Sequence, residues 1–180
     1  MLVLQNMDEL MELPLSAAPD SARLFAAAFA CTCNPCALAH YPPDWTPANC
    51  AYTPGAAGLG ILNGGLQVVV PSTRLYAEIL ATIATPQRTE AYAFADQSLL
   101  SDTFGGRWVP IGYEYNALKT LRWCHKDVWR DQDVKNIHYI LSPKPWENRD
   151  SDEETHAWWW AANDARLAKE EKLGIVRDGW

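Results

Sequence analysis

Residues 62–83 read LNGGLQVVVPSTRLYAEILATI, and they change period partway along. Leu59 to Val70 form a short apolar run, β-branched towards its end, of the kind that makes a buried strand. After Pro71 the apolar residues fall at Leu75, Ile79, Leu80 and Ile83, a helical stripe that begins near Ser72 and must stop before Pro86. A strand running straight into a helix is the unit of an α/β protein. Working outward, further strand-like runs appear at Met1–Leu4, Leu24–Cys31 and Val134–Leu141, and a second helix is expected over Gln97–Phe104, ended by Gly105–Gly106. The order of these patterns predicts an α/β fold.

Composition bounds what such a chain does. With 180 residues, 48% apolar and 21% charged, it can bury a core. Its 15 basic and 22 acidic residues leave a net charge of −7, which opposes the phosphate neutralisation that nucleic-acid binding requires. The longest apolar run, Leu24–Cys31, is far shorter than the roughly 20 residues that cross a bilayer. Met7-Asp8-Glu9 does not resemble a signal peptide, so neither nucleic acid nor membrane is expected as a partner. The odd count of 5 cysteines, without an Asn-x-Ser/Thr site, favours reduced thiols and a cytoplasmic setting.

Two cysteine readings stand side by side. Cys31-x-Cys33-x2-Cys36, with His40 and Cys50 downstream, offers zinc-ligand residue types, and a zinc-stabilised interaction module is one hypothesis. The simpler reading is small buried thiols on a strand and the loop after it. That loop, residues 34–58, holds 5 prolines and should be an irregular, functional or lid-like excursion. Near the end, Ser151-Asp152-Glu153-Glu154 fits a capping box for a helix ending near Gly174. Trp158-Trp159-Trp160 on that helix point about 100° apart, so they cannot all face one core, though core packing is the main expectation.

Three segments carry chemistry. In Asn63-Gly64-Gly65 the glycines let a ligand approach the backbone, and the amide can donate to and accept from a sugar hydroxyl; Asn-Gly is also the commonest hairpin-turn signal. Asp96-Gln97 sits at an expected helix start, where Asp96 is either an N-cap or a carboxylate facing a reacting sugar. In His138-x5-Lys144-Pro145-Trp146 a strand ends in an imidazole able to ligate a divalent metal, followed by an ammonium able to neutralise a diphosphate.

The order Asn-Gly-Gly, Asp-Gln, His-x5-Lys-Pro-Trp resembles family 8 glycosyltransferases of the glycogenin and galactinol-synthase kind, over most of Met1–Trp146. Cys33-Asn34-Pro35, Tyr41-Pro42-x-Asp44-Trp45 and Tyr115-Asn116-Ala117-Leu118-Lys119 look like fungal-type members. The resemblance implies a GT-A, Rossmann-like fold over 1–150 followed by a C-terminal helix over 151–180. It also implies a UDP-sugar donor, Mn²⁺, and hexosyl transfer to an acceptor with retention. On that pattern Asp96 and Gln97 act at the donor sugar, and Asn63, Gly64 and Gly65 line it. His138 binds the metal, while Lys144 and Trp146 belong to the diphosphate end.

Departures qualify the expectation. Gly64 stands where Ser or Ala is common, and Leu141 where several members have Gly. The Asp-x-Asp metal motif and nucleotide-binding strands of the family would precede a segment like Met1–Leu10. The chain is therefore expected to correspond to the later portion of such an enzyme, and to bind Mn²⁺ and UDP-sugar poorly on its own. A catalytically inactive remnant or binding module of the same fold is the alternative. Apolar sheet surface left bare would favour pairing with another copy as a homo-oligomer.

Overall fold

A computed structural model describes residues 1–151 and 153–175. They fall into two units: Val3–His138, and Met1–Leu2 with the chain from Tyr139 onward. The fold is mixed α/β with small sheets, as the changing period predicts. Strand β1 (Leu2–Val3) straddles the division between the units.

In the larger unit, β2 (Phe25–Phe29) is the central strand of a sheet ordered β3-β2-β4, with β3 at Leu62–Val69 and β4 at Val109–Ile111. It runs antiparallel to β3 and parallel to β4. Its Ala26, Ala27 and Ala28 are fully buried, which explains an unbroken apolar run in place of alternation. Helix α1 (Thr73–Ile83) starts where expected, with the Ser72 hydroxyl accepting the Leu75 amide at 3.3 Å. A short α2 (Pro86–Thr89) follows, then α3 (Ala95–Thr103), which ends at Phe104 ahead of the two glycines. Leu75 and Ile79 from α1 and Leu100 from α3 pack on Leu24, Phe25, Ala27, Leu62 and Phe104.

The expected α1 stripe needs correction. Leu80 and Ile83 are exposed, and Thr82 is buried instead. At about 100° per residue, positions 75, 79 and 82 share one face, while 80 is turned well away from it.

Asn63-Gly64-Gly65 is not a hairpin turn. Ala27 of β2 faces Gln67 of β3, but Phe29 faces Leu62, so Asn63–Gly65 is surplus chain bulged out of the strand. The true connection between β2 and β3 is the proline-rich stretch, irregular apart from one 3-10 turn at Pro47–Asn49. It is held by the Tyr52 hydroxyl donating to the Phe29 carbonyl at 2.9 Å, and by Trp45 stacked 4.4 Å from Phe94.

A parallel pair completes this unit: β5 (Ala117–Leu118) and β6 (Asn136–His138), with Leu118 opposite His138. Between them lies α4 (Leu121–Cys124).

In the smaller unit, α5 spans Glu154–Lys172. Its N-cap is Glu153, with no side-chain cap bond, and Ser151 Oγ accepts the Glu153 amide instead. The capping box therefore does not form as expected, and its Asp152 lies outside the described residues. The far end closes as predicted. Gly174, at φ 65°, lets its amide reach the Glu171 carbonyl and the Ile175 amide reach that of Glu170. The three tryptophans are half-buried, not core: Trp160 Nε1 donates to the Pro145 carbonyl at 2.9 Å, and Trp159 lies against Trp146. Leu141 adopts a left-handed φ of 58°, the conformation glycine favours. No helix among the described residues is long and apolar enough to cross a membrane.

Removing the α1 cap tests the larger unit. Ser72→Ala should lower unfolding free energy by about 1 kcal/mol in urea titration, with the slope unchanged.

Candidate functional site

The site grows out of the β3 bulge. A bulged backbone leaves amides without partners in the ladder, and they must be satisfied elsewhere. Here the Gly64 amide donates to Gln97 Oε1 at 3.4 Å and the Gly65 amide to Asn63 Oδ1 at 3.0 Å. Asn63 Nδ2 donates to the same Gln97 oxygen at 3.1 Å. Behind them Ser101 accepts the Leu62 amide and donates to the Gln97 carbonyl, fastening α3 to the start of β3.

The chain of bonds continues into the parallel pair. Asn116 Nδ2 donates to Asn63 Oδ1 at 2.8 Å, and Asn116 Oδ1 lies 3.0 Å from His138 Nδ1. Backbone amides can only donate, so the two glycines fix every orientation in the series. Asn63 Oδ1 must accept, so Asn116 must present its NH₂ to it and its oxygen to the imidazole. In the neutral imidazole His138 therefore carries its proton on Nδ1 and its lone pair on Nε2.

Asp96 enters from the other side. Its carboxylate is exposed and has no hydrogen-bond or ion-pair partner among the described residues. A Cβ built on Gly64 would lie 2.7 Å from Asp96 Oδ2, and one on Gly65 would lie 2.4 Å from His138 Cε1. The two glycines thus hold the carboxylate and the imidazole against one stretch of backbone. Asp96 is not the N-cap of α3; Phe94 is, and Asp96 lies in the first turn. Ala95 between them has a left-handed φ of 39°, a strained entry of a kind that gathers at functional sites.

Asn63, Gly64, Gly65, Asp96, Gln97 and His138, which the sequence singled out, therefore meet in the larger unit. Lys144 and Trp146 belong to the smaller one, where Lys144 Nζ donates to the Tyr139 carbonyl at 2.6 Å and Trp146 is exposed. The role of Asn116 is not legible in its sequence segment, Tyr115-Asn116-Ala117-Leu118-Lys119. Its burial, at 1% exposure, and its bonds to Asn63 and His138 come from the tertiary structure, and no local sequence signal marks them.

The donor set does not suit the implied Mn²⁺. A hard cation takes several oxygen ligands, and one imidazole with no gathered carboxylates does not supply them. Among the described residues the one group of three or more His, Cys, Asp or Glu ligand atoms is elsewhere: Cys31, Cys33, Cys50 and His125. There, burial pushes the Cys33 thiol up to about 11, and the hydrogen bond that Cys50 donates to Cys31, with burial, raises Cys50. Cys31 is raised chiefly by its hydrogen bond with Cys124, and burial lowers His125.

With this geometry in view, the chain reads as an α/β protein in which six of the motif residues meet at one strand bulge, and it is similar to known proteins. It is 28% identical over 147 residues to galactinol synthase 7 of Arabidopsis thaliana, covering 71% of this chain and 43% of that protein. It is 30% identical over 115 residues to galactinol synthase 2 of Solanum lycopersicum, covering 58% of this chain and 33% of that one. Galactinol synthase 2 of Arabidopsis thaliana matches to the same extent. The chain is thus a relative of the galactinol synthases, as its resemblance to family 8 glycosyltransferases implies, and spans less than half the length of these proteins. No family model matches it.

Two measurements check the geometry. Gly65→Ala should cost about 1–3 kcal/mol, because the new methyl drives into an imidazole held by Asn116, whereas Gly64→Ala meets a mobile exposed carboxylate and should cost less than half as much; both read by urea titration. In long-range ¹H–¹⁵N spectra at neutral pH, His138 Nδ1 should appear protonated and Nε2 not, a preference lost in Asn116→Ala.

Proposed function

We propose that this chain carries the donor-sugar face of a glycosyltransferase of GT-A type, which moves a hexose from a UDP-sugar to an acceptor with retention of configuration. The observation that carries this reading is the meeting of the Asn63–Gly65 bulge, the Asp96-Gln97 turn and His138 through one series of hydrogen bonds. Relatives named galactinol synthases support it.

Each group suits its part. The glycine bulge lets a pyranose ring come close to the backbone, and the amides of Asn63 and Gln97 can exchange hydrogen bonds with its hydroxyls. Asp96 supplies a carboxylate with no competing partner among the described residues, suited to steadying the positive charge that develops at the anomeric carbon as the bond to the diphosphate breaks. Asn116 is a positioning residue: it fixes the His138 tautomer by accepting from Nδ1, which makes Nε2 the acceptor nitrogen of the neutral ring. Lys144 and Trp146 are assigned to the diphosphate on their motif alone, and Mn²⁺ is given no step.

The donor set at His138 favours a second reading, in which this portion binds the donor without turning it over. UDP release from a panel of UDP-hexoses by the purified protein, followed with and without Mn²⁺, separates the two. On the first reading Asp96→Asn lowers turnover about 100-fold or more while the Kd for UDP changes little, and His138→Ala abolishes release. Saturable UDP-hexose binding with no release supports the second. Undiminished release in both variants would falsify the residue roles.

A further inference from the structure

We propose that Cys31, Cys33, Cys50 and His125 form a structural zinc site, separate from the sugar-handling residues, that fastens the proline-rich loop to α4. The four ligand atoms lie within 4.8 Å of one another. His125 Nε2 stands 3.1 Å from Cys33 Sγ, 3.3 Å from Cys50 Sγ and 3.7 Å from Cys31 Sγ, and Cys31 and Cys50 sulfurs are 3.9 Å apart. A tetrahedral zinc with Zn–S of about 2.3 Å and Zn–N of about 2.0 Å needs ligand atoms roughly 3.5–3.8 Å apart, so one ion would fit with side-chain shifts of no more than about 1 Å. A disulfide would need about 2.05 Å between sulfurs, far shorter than the separation seen.

The four ligands come from rigid positions. Cys31 and Cys33 leave the end of β2, Cys50 caps the 3-10 turn Pro47–Asn49, and His125 caps α4 with its amide on the Leu121 carbonyl at 2.8 Å. Cys31, Cys50 and His125 are buried. Three soft thiolates and an imidazole select zinc over the hard Mn²⁺, and four protein ligands leave no open position, which makes the site structural and not catalytic. On binding, the three thiols lose their protons to solvent and the sulfur lone pairs coordinate the ion; no redox change is involved. The ligand set differs from the one the spacing suggested: Cys36 is exposed, and His40 stacks edge-on to Tyr41. His125, far along the chain, takes the fourth place.

The test is elemental analysis of the purified protein, followed by replacement of its metal with Co²⁺. One zinc per chain is expected, with a cobalt form showing thiolate charge-transfer and tetrahedral ligand-field bands. Cys50→Ser and His125→Ala should each reduce bound zinc at least tenfold, and Cys36→Ser should leave it unchanged. If the buried variants fail to fold, half-exposed Cys33→Ser serves in their place, with loss of the cobalt charge-transfer bands as the readout. Absence of zinc after purification and after reconstitution overturns the proposal. So does full zinc retention in the Cys50→Ser, His125→Ala double variant, or a Cys31–Cys50 disulfide in the intact mass. None of these results bears on UDP-sugar turnover.

Discussion

The bulge in β3 leaves two glycine amides outside the strand ladder, and their satisfaction organises everything around it. Gln97 and Asn63 supply the acceptors, Asn116 joins the series, and the imidazole of His138 is set by the last bond. Because backbone N–H groups have fixed polarity, the whole series has one consistent orientation. Structure and site are thus the same network: the side chains proposed to meet a sugar are those that keep the irregular strand from carrying orphaned donors. The cost is low tolerance, since any side chain at Gly65 must displace His138.

Much of this was legible in the chain's letters, for local reasons. The α1 cap, the end of α3 before its glycines and the Gly174 terminus are decided by a few adjacent residues, and each is where the pattern puts it. β4 and β5, three and two residues long, are too short to carry a period. The bulge was not legible because Asn-Gly announces a turn equally well, and only pairing to β2 distinguishes the two. Asn116 and His125 were invisible for a different reason. Their partners lie 53 and 75 residues away, at Asn63 and Cys50, and spacing within a motif says nothing about such meetings.

The two clusters divide their chemistry by softness. Around His138 the donors are amide oxygens, a carboxylate and one imidazole nitrogen, suited to hydroxyl groups. Around His125 they are sulfurs, suited to a borderline-soft ion. Each occupies a different part of the larger unit, one at the bulge and one at the exit of β2, so a change in either can be followed separately.

The proline-rich connection has a kinetic consequence. Antiparallel neighbours β2 and β3 would ordinarily be joined by a tight hairpin that zips within microseconds. Here everything from Ala30 to Ile61 intervenes, so their pairing must wait for a long loop to close, against an entropy that grows with the logarithm of its length. Drawing Cys31 and Cys50 together removes 19 residues from that closure. Whatever gathers those sulfurs early therefore sets when the central sheet of this protein can form.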